Sequence, residues 1–198
     1  MGNIITISRT FGSGGREVGK RLAEALGYAY YDKELINLIA EETGFAKEFV
    51  EKYSESGFGQ TYAIHTARTF TVPYQMPGEQ LQIAQSNILK KIAEEGNCVI
   101  VGRRADYILR EYDPFKVFVY ATDMDSRIAR CYAKVPEDKA LSEKAVEKNI
   151  RVIDKDRAKY YNYFCTQKWG DMQNYNFCVD TSKVEVKKAV DMLASIYR

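Results

Sequence analysis

The stretch Ile4-Ile5-Thr6-Ile7-Ser8-Arg9-Thr10-Phe11-Gly12-Ser13-Gly14-Gly15-Arg16-Glu17-Val18-Gly19-Lys20 decides how this chain folds. A short apolar strand (Ile4, Ile5, Ile7) runs directly into a glycine-rich turn. An amphipathic helix follows, with Val18, Leu22 and Leu26 on one face, and then Gly27 and a second short strand ending at Asp32. Strand, glycine turn and helix in that order form a phosphate cradle. The glycines let backbone N–H groups close around an anion, and the helix N-terminus adds about half a positive charge. A glycine turn set between a buried strand and a helix points toward a nucleotide.

The 198 residues suit one domain with a small inserted subdomain. Lys and Arg number 29 against 27 Asp and Glu, a net +2, so no strong field argues for a nucleic-acid partner or an anionic membrane. No apolar run approaches the roughly 20 residues that span a bilayer, and no leader is expected ahead of the Ile4 strand. Cys98, Cys131, Cys165 and Cys178 lack C-x-x-C spacing, and Cys98 and Cys178 lie in apolar runs, as reduced core thiols do. A cytoplasmic protein is expected, and no particular oligomeric state is implied.

Buried parallel strands are expected at Ile4–Ser8, Cys98–Gly102, Lys116–Ala121 and Asn176–Thr181, with Tyr28–Asp32 as a fifth; near-continuous Val, Ile and Phe is what a sheet covered on both faces requires. Helical patterns separate them at Glu17–Leu26, Lys33–Glu42, Gln80–Glu95, Ala105–Glu111, Asp123–Ala133, Ser142–Phe164 and Val184–Tyr197. The alternation predicts an α/β fold with right-handed crossovers. Two regions break it. Residues 43–80 carry Gly44, Gly57, Gly59, Pro73, Pro77 and Gly78, and read as a mobile substrate-covering insertion. The polar stretch Lys134–Lys148, containing Pro136, sits between two Arg-bearing helices, where a lid would be.

The pattern G-x-x-x-x-G-K-[ST] is nearly matched at Gly14-x-x-x-x-Gly19-Lys20, failing at Arg21. That register would bury the second glycine and the lysine a turn inside the helix. The register with Gly12-Ser13-Gly14 at the turn places Gly15 at the usual lysine and Glu17 at the usual Ser/Thr. Arg16 is then a candidate for the missing lysine's charge, with Arg9 just before the loop, and Ser13 a candidate hydroxyl. Farther on, Val99-Ile100-Val101-Gly102-Arg103-Arg104 ends a strand in glycine and two arginines, at the carboxyl edge where α/β sheets bind ligands. Arg103 is favoured as an anion ligand. Arg127 and Arg130 are i, i+3 on one helix, as are Asp154 and Arg157 on another, with Arg151 nearby. Phosphoryl transfer spreads charge over the moving group, and arginine clamps stabilise it.

Several of these segments together resemble the cytidylate kinase-like family of P-loop proteins. They are Ile7 through Lys20, Tyr31-Asp32-Lys33-Glu34-Leu35, Val101-Gly102-Arg103-Arg104, Asp154-Lys155-Asp156-Arg157 with Tyr160-Tyr161, and Trp169-Gly170-Asp171 with Asn174-Tyr175. The resemblance covers essentially the whole chain. It implies a three-layer P-loop NTPase fold with a parallel five-stranded sheet in the order 2-3-1-4-5. Within residues 1–198 it implies a CORE (1–42, 81–133 and 165–198), an NMP-binding insertion at about 43–80 and a LID at about 134–164. It implies transfer of the γ-phosphate of ATP, with Mg2+, to CMP or dCMP. Gly12, Ser13, Gly14, Gly15, Arg16 and Glu17 correspond to the ATP-binding loop. Arg103 corresponds to the arginine of a G-R-D signature, with Arg104 where the aspartate would stand. Asp154 and Arg157 correspond to a D-x-x-R pair on the acceptor, and Arg127, Arg130 and Arg151 to arginines that close on the phosphates, with Arg151 also near the acceptor.

The expected function is therefore phosphotransfer to a nucleoside monophosphate, with Arg16, Arg127 and Arg130 acting on the transferring group. A non-catalytic nucleotide sensor, and a P-loop kinase for a non-nucleotide small molecule, are the alternatives. Asp32 either orients the acceptor or caps the helix beginning at Lys33. Asp123 and Asp125 read as helix caps, and no protein metal ligands are expected. His65, the one histidine, reads as insertion packing. Tyr160, Tyr161, Tyr163, Phe164 and Trp169 read as packing residues dense enough to stack on a base.

Overall fold

The computed structural model describes residues 3–55, 77–133 and 142–197. Five strands, β1 (Ile4–Arg9), β2 (Ala29–Tyr31), β3 (Cys98–Val101), β4 (Phe115–Tyr120) and β5 (Phe177–Asp180), form one sheet in the order β2-β3-β1-β4-β5. All four pairings are parallel, with Ile7 opposite Val101 on one side and Val117 on the other. The helices are α1 (Gly15–Leu26), α2 (Glu34–Thr43), α3 (Lys47–Glu55), α4 (Pro77–Glu95), α5 (Ala105–Ile108), α6 (Met124–Tyr132), α7 (Glu143–Phe164) and α8 (Val186–Ser195).

Alternation along each strand divides the core in two, because successive side chains leave opposite faces. Ile5, Ile7, Val99, Val101, Val117, Val119 and Val179 pack under Val18 and Leu22 of α1 and Leu193 of α8. Ile4, Cys98 and Ile100 pack under α2, α3 and α4 through Leu35, Ile39, Val50, Leu81 and Leu89. Helices thus cover both faces, and the strand expectations hold to within a residue or two at each end. The helix expected at Ala105–Glu111 is shorter, because α5 stops at Ile108 and a 3₁₀ turn at Arg110–Tyr112 leads to Asp113 in the left-handed region. The insertion expected at 43–80 holds α3 and the first turn of α4. His65 and the rest of residues 56–76 of that insertion lie outside the described residues, as does the first half of the expected lid, Lys134–Lys148.

Every strand delivers its carboxyl end to the same edge of the sheet, the edge at which open α/β sheets bind ligands. Arg9 ends β1 there, and Asp32, Gly102-Arg103, Ala121 and Thr181 follow β2 to β5. The helices that carry the other expected site residues, α6 and α7, pack on each other above this edge.

Candidate active site

Between β1 and α1 the chain turns through Thr10–Gly14, with Gly14 in the left-handed region as the cap residue of α1. No side chain caps this helix. Of its first-turn N–H groups, which have no acceptor within the helix, that of Gly15 goes to the Ser13 hydroxyl. Ser13 is not a free hydroxyl. It is fully buried, donates to the Thr10 carbonyl at 2.8 Å and accepts from Gly15 N at 3.3 Å, so its role is to hold the turn. Glu17 also departs from its expected place. It is exposed on α1 and pairs with Arg21 one turn on, at 2.7 Å, and the residue that directly follows the lysine position in G-x-x-x-x-G-K-[ST] is Arg16. Arg16, not Glu17, therefore stands where the magnesium-ligating hydroxyl would be.

Gly19 is buried inside α1, where a Cβ would lie 2.8 Å from Val101 Cγ2 and 3.1 Å from Ile7 Cδ1, so this glycine packs on the sheet and does not face a ligand in the register through Gly19-Lys20. Lys20 is exposed. Lys20→Ala and Arg151→Ala are accordingly expected to change stability by less than about 0.5 kcal/mol. Each should also leave the kcat/KM for ATP within about twofold of wild type, as initial-rate measurements would show.

Two helices pin the loop from above. Asp154 Oδ1 of α7 accepts from Phe11 N at 2.7 Å, while its Oδ2 takes a short, buried ion pair from Arg127 Nη2 of α6. Arg127 Nε donates to the Phe11 carbonyl at 2.7 Å. Arg130 reaches the Gly12 carbonyl at 3.3 Å and the Thr181 carbonyl at 2.7 Å, and Thr181 Oγ1 donates to the Ser13 carbonyl at 2.7 Å. The expected lid arginine Arg127 and the expected acceptor residue Asp154 are thus spent on each other and on the loop backbone. Their i, i+3 spacings do place them with Arg130 and Arg157 at one site.

A cavity of about 290 Å³ opens over the loop, lined by Arg9–Gly12, Gly14–Arg16, Arg130–Tyr132, Val146, Asn149 and Arg157. A narrower cleft of about 30 Å³ adjoins the ends of β1 and β3, lined by Ser8, Arg9, Gly102–Arg104, Arg157, Tyr160, Tyr161 and Trp169. Arg9 and Arg157 line both. Arg157 Nη1 donates to the Arg9 carbonyl at 3.1 Å and its guanidinium lies 5.7 Å from the Phe11 ring centroid.

Arg103 and Arg104 both adopt left-handed backbone, φ 58° and 54°, in consecutive non-glycine residues. Such conformations cost energy and cluster at functional sites. Gln85, fully buried on α4, donates to the Arg103 carbonyl at 3.0 Å. Arg104 makes a short hydrogen bond to Gln82 Oε1 and lies 4.4 Å from the Phe164 centroid and 5.2 Å from that of Tyr160. Beneath the cleft the Tyr161 hydroxyl donates to Asp106 at 2.8 Å, and burial pushes the Asp106 carboxyl above its ordinary range. Gln82 and Gln85 carry no motif. Their signal is compositional: Gln85 interrupts the apolar stripe Leu81, Ile88, Leu89 and Ile92, where an amide must find a buried partner.

Two expected residues sit differently. Arg151 has a side chain 66% exposed and bonds Glu147 one turn back at 2.7 Å, away from both cavities. Six residues along a helix amount to about 600°, so it points some 120° from Arg157. Asp32 does not cap α2, whose cap residue is Lys33. It is buried and takes an ion pair from Arg16 Nε at 2.8 Å. With burial and the Asp32 charge beside it, the Tyr30 hydroxyl is pushed up to about 12. Asp123 does cap α6, accepting from Ser126 N at 2.9 Å.

The model of the cytidylate kinase-like family matches residues 4–183. This chain belongs to that family. Among solved structures, an uncharacterized protein from Eubacterium ventriosum is 30% identical with a TM-score of 0.69, over 98% of this chain and 97% of that one. Shikimate kinase from Bacteroides thetaiotaomicron shares the fold at 16% identity and a TM-score of 0.58, over 98% of each chain. Shikimate kinase from Acinetobacter baumannii, solved with shikimate, does so at 15% and 0.53, over 100% of this chain and 93% of that one. None of the curated proteins matches. Family and fold make this a P-loop kinase architecture of the phosphotransferase class. No described helix is long and apolar enough to cross a membrane.

Proposed function

We propose that this protein transfers the γ-phosphate of ATP to a nucleoside monophosphate, with CMP and dCMP as acceptors, in the cytoplasm. One observation carries the reading: Arg9 and Arg157 line both the loop cavity and the cleft beside it, which puts the same two residues at both places where this reading sets a phosphate. The chemistry of the cleft supports a phosphate acceptor over a hydroxyl. A hydroxyl nucleophile calls for a general base, whereas a phosphate oxygen is already anionic and needs only its charge neutralised. Among the described residues the cleft lining holds four arginines and no carboxylate. Asp32 and Asp154 are paired to Arg16 and Arg127. Residues 56–76 contain neither Asp nor Glu.

In this reading the backbone of Gly12–Arg16 and the N-terminus of α1 hold the donor phosphates, with Arg16 and Arg130 beside them. Arg127 and Asp154 fix the loop that does so, and Arg103 and Arg157 hold the acceptor phosphate. Residues 43–80 cover the acceptor and 134–164 the donor. An acceptor oxygen attacks the γ-phosphorus in line, and ADP leaves with the bridging oxygen. Magnesium fits as an ion carried by the donor's own phosphates, whose charge it would offset. The loop offers it no Ser/Thr hydroxyl. Asp32 Oδ1, buried without a hydrogen-bond partner among the described residues, is left for a water of its shell. The guanidinium of Arg104, where the aspartate of the G-R-D signature would stand, favours a second reading on the same machinery, a non-nucleotide anionic acceptor. An ADP-release assay with ATP and Mg2+ against CMP, dCMP, UMP, AMP and GMP, with a no-acceptor control, tests the first reading. Turnover on the cytidine nucleotides is expected. ATP binding with no acceptor-dependent ADP across the panel would overturn it.

A further inference from the structure

The pattern G-x-x-x-x-G-K runs in this chain as Arg9-Thr10-Phe11-Gly12-Ser13-Gly14-Gly15. Arginine has replaced the first glycine, and glycine has replaced the lysine. The structure explains why the two changes come together. A Cβ on Gly15 would lie 2.6 Å from Arg9 Cβ, 3.1 Å from Arg9 Cγ and 3.3 Å from Val119 Cβ. Gly15 is not in the left-handed region, so what demands glycine is the space taken by the Arg9 stem. Only one of the two positions has room for a side chain. Arg9 is held there as the last residue of β1, in register with Val119, and is 6% exposed.

We propose that Arg9 takes the place of the missing lysine, with its guanidinium on the donor phosphates and, through its second edge, on the acceptor phosphate. The proposal rests on the phosphotransfer reading and names the residue that joins its two substrates. Its rivals are placed less well. Lys20 is exposed on α1, and Arg16 is exposed and lines only the larger cavity. Neither lines the cleft. An ammonium is a point charge, whereas a guanidinium presents several N–H groups in a planar fork and can hold two anions together.

Four proteins test this: wild type, Arg9→Gly, Gly15→Lys, and the double variant, which restores the ordinary pattern. Calorimetric titration with ATP gives the affinity, and melting curves report folding. Each single variant is expected to bind ATP roughly tenfold or more weakly, the worth of one charge-assisted hydrogen bond. The double variant is expected to return to within about threefold of wild type, because lysine then finds the space that Arg9 vacates. Wild-type affinity in Arg9→Gly, or a double variant no better than the worse single, would overturn the proposal. Should Arg9→Gly fail to fold, Arg9→Gln keeps the stem without the charge and decides the point by the same titration. Arg9→Lys is expected to keep ATP affinity within about threefold and to lose acceptor-dependent kcat/KM by roughly tenfold. Equal kcat/KM in Arg9→Lys and wild type would remove the bridging role. Because titration reads ATP alone, a wild-type protein that binds ATP without turnover refutes the phosphotransfer reading and leaves the Arg9 result standing separately.

Discussion

Arg157→Ala is expected to lower kcat/KM for the acceptor by roughly 10²–10³-fold, the usual cost of removing one preorganised group from a transferring phosphate. The expectation follows from position. Arg157 comes from the middle of α7, crosses the Phe11 ring, bonds the Arg9 carbonyl and lines both cavities. A surface arginine could be lost without consequence, but this one lines both the loop cavity and the cleft beside it. Initial rates with varied acceptor at saturating ATP measure the effect, and a melting curve separates it from unfolding. A loss under threefold in a folded variant would take Arg157 out of the acceptor site. A loss equal to that of Lys20→Ala would overturn the choice of register for the glycine loop.

Asp154→Ala is expected to destabilise the fold by about 3–5 kcal/mol, read from urea unfolding, because it leaves Arg127 buried without its counter-ion. The Arg127 and Asp154 side chains are only 10% and 17% exposed, so solvent screens the pair weakly. The same change strips Phe11 N of its acceptor, and ATP affinity should fall with it, since the loop's position depends on that bond. Arg127→Met in the Asp154→Leu background should cost less than the two single changes added together, as removing both members of a buried pair leaves no orphaned charge. Additive costs, or a single-variant loss under about 1 kcal/mol, would show that the pair does not hold the loop.

Much of the fold was legible in the sequence for a simple reason. Strands buried on both faces must be apolar along their whole length, and Ile4–Ser8, Cys98–Gly102 and Lys116–Ala121 are such runs. The strand order came from the family resemblance, since no periodicity distinguishes 2-3-1-4-5 from its rivals. Helix α3 was not legible, because Phe49 and Val50 are too few apolar residues to outweigh the polar ones around them. At the site, the glycine loop, Arg103 and Arg157 stood out through local spacing. What Arg127 and Asp154 do could not be read that way: their pairing joins residues 27 apart in the chain, and which of two i, i+3 helical pairs faces a ligand and which faces the other helix is a tertiary matter. In the sequence Arg9 reads only as a charge just before the loop. Its meaning depends on the space above Gly15, which only the packing of α1 on β1 reveals.

The central claim is that one guanidinium-lined boundary joins a donor site to a phosphate acceptor site. The most direct test follows the phosphate itself: incubation with γ-³²P-ATP, Mg2+ and CMP, followed by separation of the labelled products. Label in CDP, appearing with the same time course as ADP, is the expected result. Label that stays in ATP, or passes only to inorganic phosphate, would contradict the account.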